Sequence, residues 1–213
     1  MLDGNKRYFP MVIPFLLLIL VLTGLFGVPL FRVYATASDI VTWKGGTGVW
    51  ENPTNWSSGS VPTSADDVQI NYGAVTISST QSVGSITIAF ASTLNCKSCI
   101  LDTPTGDIAN SGTIVNNRGN ITVGTGDLNN TSSGVIDNGP VGVISVATGD
   151  VNNSGVIMNG SGSTLSIDVG DVTNTGTIDN CSGGKISISG YTNGTPIAQA
   201  GTCLLSDASP PFF

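Results

Sequence analysis

Four aspartates, Asp107, Asp127, Asp150 and Asp171, return at spacings of 20, 23 and 21 residues. Carboxylates that recur at a fixed interval are the first place to look for acid–base or metal chemistry. If the interval is one coil of stacked β-structure, like positions lie about 4.8 Å apart. Carboxylates at that spacing repel by roughly 3.5 kcal/mol per pair at an effective dielectric of about 20, and by under about 1 kcal/mol in water. The column must therefore be hydrated, hydrogen-bonded to turn amides, or neutralised by a cation. Calcium would suit a hard, oxygen-rich cage. The known calcium-binding coil, however, is a nonapeptide of the G-G-x-G-x-D type, which the longer phrase here does not follow. Exposed turn aspartates without a cofactor are the expectation.

Catalysis has little else to draw on. Enzymes that cleave acidic polysaccharides cluster aspartates with Lys, Arg or His to move protons and hold the anion. This chain has no histidine, Glu51 is its only glutamate, and the repeated phrases between Gly106 and Gly190 carry only Arg118 and Lys185 as basic residues. Every aspartate of the column is already accounted for as a repeat position. No enzymatic activity is expected. The competing readings are a polysaccharide lyase or hydrolase with a reduced site, which needs paired carboxylates beside a basic residue, and a calcium-stabilised binding module. Thr122, Ser145, Ser166 and Ser187 make a hydroxyl column, but the regular Thr-x-Thr arrays of an ice-binding face are missing.

The elements that position these residues follow from the repetition. The stretches GDIANSGTIVN, GDLNNTSSGVIDN, GDVNNSGVIMN and GDVTNTGTIDN occur between Gly106 and Gly190, each followed by ITV, ISV, LSI or ISI. Their alignment gives two asparagine columns, Asn110, Asn130, Asn153, Asn174 and Asn116, Asn138, Asn159, Asn180, with an isoleucine column, Ile114, Ile136, Ile157, Ile178, between them. Apolar residues alternate with small polar ones, a pleated-strand period that suits no helix. Asn, Gly, Ser and Asp separate the runs because they accept left-handed or side-chain-bonded turns at low cost. The pattern predicts an all-β fold, a single-stranded right-handed parallel β-helix of about 21-residue coils, with asparagines bonded from coil to coil. The hand is the commoner one for such coils. One coil cannot bury its apolar side alone, so stacking decides folding.

Four segments are expected. Residues 1–37 form a hydrophobic helix: Lys6 and Arg7 precede an apolar stretch from Met11 to Leu30, and Ala35-Thr36-Ala37 offers a signal-peptidase site. The stretch is also long enough to span a bilayer as a retained anchor, and either way the repeats are delivered outside. Residues 38–72 form a Trp-rich cap in which Trp43, Trp50 and Trp56 cover the first coil, a reading preferred to a sugar-stacking platform. Residues 73–190 are the repeats, and 191–213 a degenerate coil and tail. The cysteines read as two disulfides of an oxidising compartment, Cys96 with Cys99 and Cys181 with Cys203. Sequons at Asn55, Asn120, Asn129, Asn130, Asn152, Asn159, Asn180 and Asn193 are glycosylation candidates. A formal charge of −7 without a basic cluster in the repeats argues against nucleic acid.

Before the repeats, the run TWKGGTGVWENPTNW, then a proline and aspartates before an apolar strand, resembles the start of secreted β-helix passenger domains, including autotransporter-type adhesins. The phrase N-x-G-x-I is similar to repeats of that group. The resemblance covers most of residues 42–190 and implies architecture rather than a ligand; a membrane barrel has no counterpart in these motifs. It implies an extracellular or cell-surface solenoid with a structural, adhesive or envelope-associated role. The implied partners are surface glycans or proteins, the membrane through an uncleaved N-terminal helix, and self-association through solenoid ends.

Overall fold

The computed structural model describes residues 39–181 and 183–199, and within them the chain is a parallel β-solenoid of three faces. The first face stacks eight strands, Asp39–Thr42, Asp66–Ile70, Ser85–Ile88, Ile108–Asn110, Leu128–Asn130, Val151–Asn153, Val172–Asn174 and Thr192–Gly194. The second stacks eight more, from Thr47–Val49 and Gly73–Ile77 through Ser92–Lys97, Thr113–Asn117, Val135–Asn138, Val156–Asn159 and Thr177–Asn180 to Ala198–Gln199. The third holds Thr80–Ser82, Ile100–Thr103, Asn120–Thr125, Val143–Thr148, Thr164–Ile167 and Lys185–Ile188. Six complete coils therefore lie between a two-strand coil at each end. The hydrophobic N-terminal segment and Cys203 lie outside the described residues.

The strands follow the alternation in the sequence. On the first face Val41, Val68, Ile86, Ile108, Leu128, Val151 and Val172 stand over one another. On the second, Val75, Leu94, Ile114, Ile136, Ile157 and Ile178 do the same. None of these side chains is more than 3% exposed. Each is too small to form a core within its own coil, so the hydrophobic term comes from contact with the coils above and below.

Both asparagine columns point inward beside the aliphatic ones. On the first face Asn110 Nδ2 donates to Asn130 Oδ1 at 2.8 Å, Asn130 to Asn153 at 2.7 Å, and Asn153 to Asn174 at 2.7 Å. On the second, Asn116 donates to Asn138 at 2.8 Å, Asn138 to Asn159 at 2.9 Å, and Asn159 to Asn180 at 2.8 Å. The position explains the residue type. Each asparagine ends a strand where the chain turns a corner, and corner carbonyls there point into the interior. The same amide nitrogens reach them: Asn110 donates to Val135 O, Asn130 to Val156 O, Asn116 to Val143 O and Asn138 to Thr164 O, all within 3.2 Å. An aliphatic side chain would leave these acceptors short of donors, at about 1–3 kcal/mol each.

Above Asn110 the first-face column continues as Ile88, Ile70 and Trp43; above Asn116 the second continues as Cys96, Ile77 and Trp50. The ladders thus begin together in the coil of Ile108–Asn110 and Thr113–Asn117. The stretch 38–72 supplies tryptophans and also strands that continue the stack, and 191–199 continues it at the other end. Uneven repeat spacing is absorbed at corners. The extra residues of the Asn130–Val135 connection, compared with Asn153–Val156, bulge outward without shifting the register.

Two corners demand particular backbones. Between the third and first faces, Gly126, Gly149 and Gly170 stack so closely that a Cβ on Gly149 would lie 2.0 Å from Gly126 O, and one on Gly170 1.9 Å from Gly149 O. Between the second and third faces, Ser98, Arg118, Val141, Gly162 and Gly183 all adopt left-handed φ angles, 56° at Val141. That conformation costs an ordinary L-residue about 1–2 kcal/mol, and a β-branched side chain suits it least.

Two substitutions test this account in urea melts. Asn138→Ala is expected to cost about 2–4 kcal/mol, because it removes one rung and with it the bonds to Asn116, Asn159 and Thr164 O; Asn152→Ala, in an outer column with one bond to Asn129, is expected to cost under about 1 kcal/mol. Val141→Gly is expected to stabilise the protein by about 1 kcal/mol, since glycine relieves the left-handed strain.

Candidate functional site

The aspartate column resolves into a hydrogen-bonded spine. Asp107 Oδ1 accepts from the Asp127 amide, Asp127 from Asp150, Asp150 from Asp171 and Asp171 from Tyr191, each at 2.8 Å. Each carboxylate thereby satisfies the amide of the next coil where the corner breaks the strand ladder. The like-charge repulsion is offset by a charge-assisted bond at every step. Of the three ways such a column can exist, it takes bonding to turn amides. Among the described residues, no three of His, Cys, Asp or Glu converge on a point that could hold a metal ion.

Arg118 and Lys185 do not meet. Arg118 turns a corner after Thr113–Asn117 and Lys185 starts a third-face strand three coils further on, so neither forms a joint site with the other. Thr122, Ser145, Ser166 and Ser187 are in register on the outside of the third face, and Ser166 donates to Ser145 at 3.1 Å. Asp102 replaces the hydroxyl in the coil above.

Trp43, Trp50 and Trp56 are at most 1% exposed. Trp56 meets Trp43 and Trp50 edge to face, with ring centroids 5.0 and 4.6 Å apart, and its Nε1 donates to Trp50 O at 2.7 Å. Rings so enclosed have no free face for a pyranose, which removes the platform reading. The neighbouring Glu51 Oε1 accepts from the Ser78 amide, Ser78 Oγ and Ser79 Oγ, fastening the segment to the corner above Thr80–Ser82. Burial pushes the Glu51 carboxyl up, but the bonds from Ser78 and Ser79 outweigh it and hold the group below its ordinary value.

Cys96 and Cys99 form a disulfide, and both are buried. Its place in the column has a cost for the coil below. Cys96 stands directly over Asn116, has no N–H to give, and leaves Asn116 Oδ1 buried without a hydrogen bond. Gly119 follows from the same contact: a Cβ there would lie 2.1 Å from Cys96 Sγ. Cys181 is 5% exposed at the end of Thr177–Asn180 and is not a free thiol.

The sequons divide by depth. Asn130, Asn159 and Asn180 are ladder rungs, buried with their amides engaged, so the folded coil has no room for a glycan on them. That corrects their reading as acceptor sites. Asn120 and Asn193 are exposed, whereas Asn55, Asn129 and Asn152 are half-buried.

Some residues carried no signal in the sequence. Asp137 faces outward on the second face between Val115 and Met158, yet Met158 is only 6% exposed and Asp137 Oδ1 is buried without a hydrogen bond. Burial pushes this carboxyl above its ordinary value. Tyr72 and Phe90 protrude from the corner between first and second faces in successive coils; Tyr72 donates to Lys44 O at 2.6 Å. Neither belongs to the recurring phrase, and only their three-dimensional position reveals them.

The chain matches no family model, no curated protein and no solved structure. What the resemblance to adhesin passengers retains is architectural: the described residues form a parallel solenoid and no barrel.

Asp137 gives a pH-dependent test. A carboxyl raised by burial is harder to ionise in the folded than in the unfolded chain, so stability is greatest below the unfolded value and falls as pH rises through the carboxylate range. Asp137→Asn is therefore expected to raise the melting temperature at pH 7, with the gain disappearing near about pH 3.

Proposed function

We propose that this chain is an exported β-solenoid rod at the cell surface or outside the cell, with a structural, adhesive or envelope-associated role and no catalytic activity. The observation that carries this reading is the use of its recurring polar side chains. The asparagines of both ladders and the aspartates of the corner column spend their bonding capacity on the next coil. Such residues build length and stiffness, whereas a hydrolase or lyase needs carboxylates free to take and give protons. The buried Cys96–Cys99 disulfide supports maturation in an oxidising compartment. The lysine and arginine before the apolar stretch support export, with cleavage after Ala37.

Export and adhesion are tested separately. Intact mass of the protein recovered from its native cell is expected to show a chain beginning at Ser38. A mass that retains residues 1–37 in a membrane fraction replaces cleavage with anchoring, and recovery from the cytosol ends the export reading. The purified chain is expected to bind surface glycans or matrix proteins on an array and to release no reducing or unsaturated ends from acidic polysaccharides. Turnover of any of them would make it an enzyme.

A further inference from the structure

The recurring polar side chains are bonded from coil to coil, but a group of polar and aromatic residues ahead of them on the second face is not. The strand Ser92–Lys97 crosses that face in 6 residues, roughly 16 Å at about 3.3 Å per residue. At its start, on the corner between first and second faces, Phe90 is 73% exposed and Tyr72, one coil earlier, 57%. The Tyr72 ring is firmly seated. Its hydroxyl donates to Lys44 O at 2.6 Å, and a Cβ on Gly45 would lie 1.7 Å from Tyr72 Cε2. At the other end of the strand stand Lys97 and, on the adjoining coil, Arg118, both exposed. Between these edges Thr93, Asn95 and Thr113 face outward, alternating with the buried Leu94, Cys96 and Ile114. Among the described residues, none of Lys97, Arg118, Thr93, Asn95 and Thr113 has a side-chain hydrogen bond or an ion-pair partner.

We propose that this part of the second face binds an anionic glycan chain. Lys97 and Arg118 hold a sulfate or carboxylate group, the Arg118 fork matching two of its oxygens. Thr93, Asn95 and Thr113 bond to ring hydroxyls, and the Phe90 and Tyr72 rings lie against the C–H face of a pyranose. The inference rests on the adhesive reading above and gives it a location. Charge and polarity select the occupant. Unpaired neighbouring cations stand out on a chain of formal charge −7, and a neutral sugar would leave them unused. An apolar partner would bury the threonine and asparagine groups without hydrogen bonds. A nucleic acid needs a longer basic track than these residues provide. The next coil sets a boundary: Val135 and Asp137 stand below Thr113 and Val115, so the polar floor ends there and a carboxylate repels the anion from further along the rod. Arg118 has a φ of 62° at a corner where later coils place Gly162 and Gly183, so its guanidinium is held there against the backbone's preference.

The test titrates the full chain with heparin, polygalacturonate and dextran. Binding to heparin or polygalacturonate is expected, weakening as salt is added, with none to dextran; the stronger of the two anionic chains identifies sulfate or carboxylate as the group held. Arg118→Gly, which relieves the left-handed corner and so keeps the fold, is expected to weaken binding at least about tenfold, as is Lys97→Gln. Phe90→Ala is expected to weaken it about threefold. Lys185→Gln, the same charge change on the third face, is expected to leave it unaltered. An equal loss in Lys185→Gln, or equal binding of dextran, would overturn the site. Full binding by Arg118→Gly and Phe90→Ala would also overturn it while leaving the adhesive role in place, as would binding to matrix proteins alone. Failure to bind any glycan or matrix protein would overturn both.

Discussion

A chain that turns three corners in every coil must satisfy the backbone groups that those corners turn inward, and this constraint shapes the molecule. A flat sheet pairs its carbonyls along the strand, but a corner interrupts the ladder and leaves acceptors facing a dry interior, where an unmet bond costs about 1–3 kcal/mol. The ladder asparagines meet the demand because one planar amide can accept from the coil above and donate to the next rung and to a corner carbonyl. Aspartate does a related task on the outside of another corner, where hydration tolerates its charge. The choice between amide and carboxylate therefore follows burial: the buried asparagines accept from the coil above and are neutral, whereas the exposed aspartates accept from the coil below and carry charge.

The same demand explains the exceptions. Where the interior column of the first face is Ile70 and Ile88 instead of asparagine, the chain rounds the corner to the second face with left-handed residues at Gly73 and Ala91, a conformation the ladder coils do not use at that corner. The change from apolar to amide rungs occurs at one level on both faces. At that junction a mismatch remains: Asn116 Oδ1 meets a disulfide sulfur instead of an N–H. On the first face the equivalent Asn110 Oδ1 escapes by accepting from the Gly112 amide at 3.2 Å. The covalent staple and the ladder therefore compete for one position in the column, and the staple holds it.

Much of this was legible in the sequence, for a physical reason. Columns of identical asparagines and aliphatics show as periodicity because the stacked environments are identical, so the four coils from Gly106 to Gly190 announced both ladders and their partners. The coils before them share the backbone path but fill it with Ile70, Ile88, Leu94 and Cys96, and the repeated phrase disappears although the stack does not. The sequons misled for a related reason: Asn130, Asn159 and Asn180 belong to Asn-x-Ser/Thr triplets because ladder asparagines precede turns rich in serine and threonine. Asp137 and Tyr72 left no trace because their character comes from neighbours in adjacent coils, which no local pattern records.

The inward and outward halves of each strand carry different constraints, and this bears on function. Inward positions hold one residue type for four coils, as with Asn116, Asn138, Asn159 and Asn180, because every rung must fit the next. Outward positions of the same strands change freely: Thr113, Val135, Val156 and Thr177 form one column, and Asn120, Val143, Thr164 and Lys185 another. One outward column does keep its chemistry, the hydroxyls of Thr122, Ser145, Ser166 and Ser187 at steps of about 4.8 Å. The ladders thus constrain the inward half of each strand, while most outward columns vary around them.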